Sequence, residues 1–556
     1  MVTPTVGLVA PRRSSDSAMC IEIHDSPCIR FEREQSDDKR LEMDPPRSMD
    51  QYFEHAYKST RKHFSYLKSW RYHLYFVYLG TATAGHLSEA VCIGYVLADP
   101  TFQSSILSHD FDVKGAMVAS SLSSGMIIGG FLAGFLEETF KRKQTVLLGL
   151  SGISITGLFS ALSPNFQCMV AARFFCGVGM GAITSVLPAL AAELSPSHER
   201  GYFVSLTTVV GSFGGVYTAL VALFCLGLEH LSWRVFLILA TIPNIVSLVL
   251  IACGVPDSPR NLALNGDYTT AAECANRTVR DMGYQGTFIT AQEIEARRRF
   301  ESEHHQLVVA QVKRSTLWNS MYEAIQNTLL LYRNDANTRR TTLILQLLSI
   351  ATGVANGIGL WVTTILKEIH DADVYSTRIA MSTSSIPGAL VCALLLDRVG
   401  RKPLYSTFLG LHGLILAFLA LAVHSQGSST SIIFVCMCLL DAFHSAAGNA
   451  LNVMTAEAFP TQVRGTGTGV CAATGRMALV GSQFVFGSLV ATPSLLFGTS
   501  SAILLFGSFL SCIVPLQDMA KQPLSENVAI TKDTDDNIQA EDLREPLLVQ
   551  SNLEVA

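Results

Sequence analysis

Hydrophobic residues in this chain fall into long blocks separated by short polar breaks. Twelve blocks qualify, at about 72–97, 114–135, 144–162, 167–190, 203–226, 234–254, 341–363, 377–396, 404–424, 431–455, 466–490 and 494–515. A helix that crosses a bilayer needs ~20 mostly apolar residues, and one soluble core does not produce so many such runs. The pattern predicts an all-α membrane protein with 12 transmembrane helices. Residues 1–71 and 516–556 are polar tails, and their composition predicts disorder. Residues 255–340 form a polar central loop that separates an N-terminal six-helix half, 72–254, from a C-terminal six-helix half, 341–515. Within that loop, Ala271–Met282 and Glu293–Glu303 are expected to form short helices lying at the membrane surface.

Charge orients the helices. Lys and Arg accumulate on the cytoplasmic side of membrane proteins. Lys58, Arg61, Lys62, Lys68 and Arg71 precede the first span, whereas 98–113 carries Asp99, Asp110 and Asp112 and has neither Lys nor Arg. Lys141, Arg142 and Lys143 fill the next break, Arg200 the one after the fourth span, and Arg260, Arg277, Arg280 and Arg297–Arg299 the central loop. In the second half Arg398, Arg401, Lys402 and Arg464 continue the alternation. Both termini and the central loop are therefore expected in the cytoplasm, so the Asn276-Arg277-Thr278 triplet is read as a chance glycosylation match.

Composition narrows the function classes. Charged residues make up 15% of the chain, against about a quarter in soluble proteins. The net charge of −5 comes from tails and loops and indicates no nucleic-acid partner. The 13 cysteines are scattered without a CxxC pair and read as packing residues. No apolar signal-peptide core opens the chain, so the first span is expected to direct insertion. No Gly-rich loop ending in Lys-Ser or Lys-Thr is present, which argues against ATP as the energy source. His304-His305 reads as a solvated pair, and no metal or cofactor is expected. Leu547 and Leu548 in the last tail look like a dileucine sorting signal that lacks its acidic residue.

The two halves repeat. Glu193-x-x-Pro196-x-x-x-Arg200-Gly201 recurs as Glu457-x-x-Pro460-x-x-x-Arg464-Gly465, displaced by 264 residues throughout. A second echo joins GFLEETFKRK at 134–143 to ALLLDRVGRK at 393–402. Matched sites in corresponding loops point to duplication.

With these motifs in place the chain resembles the major facilitator superfamily. Asp397, Arg398, Gly400, Arg401 and Lys402 match that family's Asp-Arg-x-Gly-Arg-Lys loop. The resemblance implies a cytoplasmic gating latch in each half, built from Gly134, Glu138, Arg142, Glu193 and Arg200, and from Asp397, Arg398, Gly400, Arg401, Glu457 and Arg464. The alternative is that these charges only anchor topology. The first copy departs from the motif, with Glu138 for Asp, Thr139 for Arg and Lys141 for the turn glycine. In the fourth span, Arg173, Gly177, Gly179 and Gly181 are similar to the superfamily's Arg-x-x-x-Gly-x-Gly-x-Gly stretch. Pro256, Ser258, Pro259, Arg260, Leu262 and Gly266 resemble the Pro-Glu-Ser-Pro-Arg-Trp-Leu segment of the sugar-porter, organic-ion and synaptic-vesicle-related branches, with Asp257 for Glu and Asn261 for Trp. The short, cysteine-free 98–113 loop is more similar to the synaptic-vesicle-related and bacterial metabolite/proton symporter branch.

Ionisable residues inside spans cost about 2.5–3.5 kcal/mol on insertion scales and mark function by default. His86 and Glu89 share a face of the first helix and are candidates for carrying a coupling proton; a silent hydrogen-bonded pair is the alternative. Arg173 is either part of that coupling or a structural clamp. Arg476, in the middle of the eleventh span, resembles the organic-ion families' helix 11 arginine and is the candidate for meeting an anionic group. Its alternative role is pairing with Asp441, with His444 and Glu89 as further possible counter-ions. Asn356, Trp361, Gln346, Asn449 and Asn452 are candidates for lining a cavity or for bonding a neighbouring helix. The expected protein is a secondary active transporter, not an enzyme. It moves a small organic ion or metabolite by alternating access, coupled to a proton, as a monomer in the lipid bilayer of the plasma membrane or of an internal vesicle. The alternative is a non-transporting sensor or vesicle-associated binding protein on the same fold.

Overall fold

The structure, a computed structural model, describes residues 49–62, 69–107, 111–196, 199–304, 328–329, 331–333, 336–369, 374–425, 430–459 and 464–513. Twelve long helices dominate. They are α1 Trp70–Leu97, α2 Phe111–Thr139, α3 Arg142–Ala161, α4 Phe166–Leu194, α5 Arg200–Ala222, α6 Trp233–Gly254, α7 Ala336–Ile369, α8 Val374–Val399, α9 Arg401–His424, α10 Thr430–Ala458, α11 Arg464–Leu489 and α12 Pro493–Ile513. Ten are long and apolar enough to cross a membrane by composition alone. The remaining two, α1 and α11, are diluted by Gly, Thr and Ser and carry His86, Glu89 and Arg476. Large apolar side chains such as Phe131, Phe159, Phe175, Leu421 and Phe506 stay exposed, as a lipid-facing surface requires. The end of the bundle carrying Lys141–Lys143, the central helices and Arg398–Lys402 is called the basic end below; the other is the opposite end.

Local chemistry sets the helix starts. Asn165 caps α4 by accepting from the Cys168 amide at 3.0 Å, and Ser232 caps α6 through the Arg234 amide at 3.3 Å. In the link after α1, Asp99 accepts from the amides of Thr101 at 2.8 Å and Phe102 at 3.0 Å, which winds Pro100–Phe102 into a short turn of helix.

Packing reproduces the sequence repeat. In the first half α2 lies along α4, α1 along α5 and α6, and α3 along α4 and α6. Adding six to each label gives the second half: α8 along α10, α7 along α11 and α12, and α9 along α10 and α12. The seam obeys the same rule, because α2 against α11 mirrors α8 against α5, while α1 faces α7. The α2–α4 crossing explains two of the glycines singled out in α4. A Cβ on Gly177 would run into the Leu122 carbonyl, and one on Gly181 into that of Met126. Helix axes approach this closely only where the interface residues are small.

The expectation of a disordered first tail fails over part of its length. Met49–Lys62 is a helix whose Tyr52, Phe53 and Ala56 are buried in the same core as Leu262, Ala271, Ala275 and Val279. Apolar residues at helical spacing make one sticky face inside a segment that is polar on average, and composition hides that face. Tyr52 Oη donates to Asn276 Oδ1 at 2.8 Å, and the Asn276 amide donates to the Ile289 carbonyl at 2.8 Å. Asn276 thus ties the central segment together. That segment forms helices Pro259–Leu264, Tyr268–Asp281 and Ala291–His304. His305, Leu547 and Leu548 lie outside the described residues.

Candidate functional site

A fully buried ion pair in the first half joins α1 to α4. Arg173 Nη1 meets Glu89 Oε2 at 2.8 Å, and each side chain is 1% exposed. The other carboxylate oxygen accepts from Thr241 Oγ1 of α6 at 2.7 Å. Gly157 of α3 sits against the same carboxylate, so four helices converge on it. Arg173 also keeps two buried nitrogens, Nε and Nη2, with no partner among the described residues. The carboxylate is therefore fully engaged while the guanidinium is not. Sequence reasoning found both ends of this pair but not the pairing. It missed Thr241 altogether, because a threonine in an apolar span gives no signal.

Arg476 does not pair with Asp441 or with Glu89. Its Nη1 donates to the Met126 carbonyl of α2 at 3.0 Å and its Nη2 to Thr184 Oγ1 of α4 at 2.9 Å. The reason is the seam: α11 packs on α2, so the guanidinium points into the other half. His86 is half-buried on α1. Asp441 is partly buried and has no hydrogen-bond or ion-pair partner among the described residues.

The second half gathers its own polar cluster. His444 of α10 and Asn356 of α7 share a hydrogen bond of 2.9 Å between Nε2 and Oδ1. His412 of α9 meets His444 edge to face at 5.6 Å and is 4% exposed, a contact the sequence did not suggest. Trp361 is not a cavity residue. It is fully buried, and its indole Nε1 donates to Gln483 Oε1 of α11 at 2.9 Å. Gln346 likewise bonds Thr474 of α11 at 3.0 Å. Both are spent on α7–α11 packing, because a lone polar group in a span finds the nearest helix. Asn449 is partly buried and Asn452 exposed on α10.

At the opposite end the halves are clasped. Arg378 of α8 stacks on the Tyr95 ring of α1 at 5.1 Å, and its Nε donates to Tyr95 Oη at 3.4 Å. Lys367 of α7 donates to the Ala98 carbonyl at 2.7 Å. A Cβ on Gly94 would strike the Leu360 carbonyl of α7. Among the described residues, the hydrogen bonds joining the halves all lie between the middle of the bundle and this end.

Three of the charged residues expected in the first-half latch, Arg142, Glu193 and Arg200, are ion-paired at the basic end. Arg142 Nε pairs with Glu193 Oε1 at 2.9 Å, and Glu193 Oε2 accepts from Ser258 Oγ at 2.5 Å. Lys141 Nζ pairs with Asp267 Oδ2 at 3.2 Å, and Lys143 Nζ donates to the Val255 carbonyl at 2.7 Å. Asp50 of the leading helix pairs with Arg200 at 3.2 Å and also binds Arg260. Lys141 replaces the motif glycine without strain, since its φ is −65°, whereas Gly400 in the second half has a φ of +102°. A Gly400→Ala substitution is expected to cost about 1–3 kcal/mol, and Lys141→Gly less, read as the drop in melting temperature of the purified protein. Arg398 is exposed, while Arg401 is buried and donates to the Leu396 carbonyl at 3.3 Å. Gly134 lies within α2, and the side chains of Glu138, Asp397, Glu457 and Arg464 lie outside the described residues.

Known proteins share this architecture. The family model described as "Sugar (and other) transporter" matches residues 50–527. The niacin transporter NiaP of Acinetobacter baylyi is 26% identical over 65% of this chain and 75% of its own length. Polyol transporter 5 of Arabidopsis thaliana is 27% identical over 64% of this chain and 67% of its own. Solute carrier family 22 member 15 of Xenopus tropicalis is 26% identical over 78% of this chain and 76% of its own. Among solved structures, the xylose transporter XylE of E. coli in an inward open conformation superposes with a TM-score of 0.63 at 19% identity, covering 81% of this chain and 97% of that one. The chain therefore belongs to the sugar (and other) transporter family, and it is a multi-pass membrane transporter with the twelve-helix major facilitator fold.

Proposed function

We propose that this protein is a proton-coupled secondary transporter of a small organic solute bearing an anionic group, and that it works by alternating access. The basic end faces the cytoplasm, as the Lys and Arg distribution favours. The clasp at the opposite end then makes this the inward-facing state. The observation that carries the coupling is the sealed Glu89–Arg173 contact. A proton on Glu89 removes the charge that holds Arg173, frees α1 from α4 and changes the relative stability of the two states, which is what coupling requires. A solved relative of the same fold is described as a D-xylose–proton symporter, which fits this reading.

Arg476 supplies the anion-binding group. It lies mid-span on a helix at the seam between the halves and meets no carboxylate among the described residues. Named relatives in this family are transporters of niacin and of polyols, which supports transport over a sensor on the same fold. Reconstituted in proteoliposomes, Glu89→Gln is expected to lose at least tenfold in uptake driven by an inward proton gradient while retaining solute exchange. Gradient-driven uptake at the wild-type level in Glu89→Gln would overturn proton coupling through this residue.

A further inference from the structure

The solute class follows from charges that the protein leaves unpaired. His86, Asn356, Asp441, His444 and Arg476 each lie about three to four turns in from the opposite end of α1, α7, α10 or α11. They therefore form one polar layer across the middle of the bundle. That layer holds a fixed cation, Arg476, whose hydrogen-bond partners among the described residues are a carbonyl and a hydroxyl. It also holds an acid, Asp441, with no hydrogen bond or ion pair among the described residues. The guanidinium of Arg378 on α8 is taken up by Tyr95 nearer the opposite end. Glu89 does not serve Arg476: its oxygens accept from Arg173 and Thr241, while Arg476 donates to Met126 and Thr184.

Opposite charges at one depth on neighbouring helices would normally pair with each other, since each costs several kcal/mol in a membrane interior. Here each is kept for something else. From this we infer that the transported solute is zwitterionic, an amino carboxylate whose carboxylate meets Arg476 and whose ammonium meets Asp441. A simple carboxylate satisfies the arginine but is repelled by the acid. A simple amine has the reverse problem, and a neutral polyol leaves both charges unpaired. His444 and Asn356, already bonded to each other, supply neutral hydrogen-bonding capacity beside the acid. The inference rests on the transport reading above and adds the second charge to it.

The test is a thermal-shift titration of the purified full-length protein with matched triads: γ-aminobutyrate, butyrate and butylamine, then aminomethylbenzoate, benzoate and benzylamine. At least one amino carboxylate is expected to bind tenfold or more tightly than its carboxylate analogue, with the amine weaker still. Asp441→Asn should abolish that preference while leaving carboxylate binding in place, and Asp441→Glu should restore it. A carboxylate equal to its amino partner in both triads, no stabilisation by either amino carboxylate, or a preference unchanged in Asp441→Asn would overturn the assignment. Flux is scored separately in proteoliposomes. Binding with the expected preference but without flux would defeat the transport reading and leave the site assignment standing.

Discussion

Replacing Arg173 with methionine will lower the stability of the purified protein by about 3–5 kcal/mol, the largest loss expected from any single charge in the bundle. The substitution keeps the length of the side chain and removes its charge, so the cost falls on what remains. Glu89 would be left in a site where it is 1% exposed, with the Thr241 hydroxyl and the weak Cys92 thiol as side-chain donors. An uncompensated carboxylate there has neither water nor a counter-ion. Glu89→Gln costs less, because the amide oxygen can still accept from Thr241 or Arg173. The double variant, Glu89→Gln with Arg173→Met, is expected to recover much of the loss, since two neutral side chains of similar volume replace the pair. A double-mutant cycle on chemical unfolding in micelles measures the coupling directly. Losses that simply add would show that the two groups do not act as a pair.

This contact also marks how far the sequence could be read. Hydropathy located the spans, because the requirement for ~20 apolar residues acts on each segment alone. The repeat announced two equivalent halves, and their packing repeats element by element. Glu89 and Arg173 both stood out as charges inside spans. Their meeting depends on the rotation of α1 and α4 about their axes, which is fixed by contacts such as Gly177 against the Leu122 carbonyl. No feature of either span alone encodes that angle. Trp361 went the other way for the same reason. A tryptophan at mid-span suggests a cavity wall, but α7 turns it into α11, where Gln483 takes its N–H.

The leading helix was lost to averaging. Met49–Lys62 is polar as a block, and its buried Tyr52, Phe53 and Ala56 become visible only when the block is read at helical spacing. The motif departures misled in a different sense. Lys141 looked like a defect, yet the backbone there has an ordinary φ of −65° and never needed glycine. Only Gly400, at +102°, meets the geometric demand that the motif expresses.

Arg476→Ala will shift the balance between the two ends of the bundle. In the clasped state this one side chain makes two charge-assisted hydrogen bonds to the other half, at 3.0 Å to Met126 and 2.9 Å to Thr184. Hydrogen bonds to charged groups contribute about 1.5–3 kcal/mol each. If rocking of the halves breaks both, and water repays part of the loss, at least about 2–3 kcal/mol of bias toward the clasped state disappears with the side chain. That is a thirtyfold to hundredfold change in the ratio of states by the factor of ten per 1.4 kcal/mol. Spin labels at Thr101 and Thr492, both exposed near the opposite end, report the change as a longer distance population. Tyr95, Arg378 and Lys367 remain in the variant, so the clasp weakens without vanishing. The same variant should bind no carboxylate. A ligand-free distance distribution identical to wild type would mean that the two bonds survive rocking, and that Arg476 travels with the first half through the cycle.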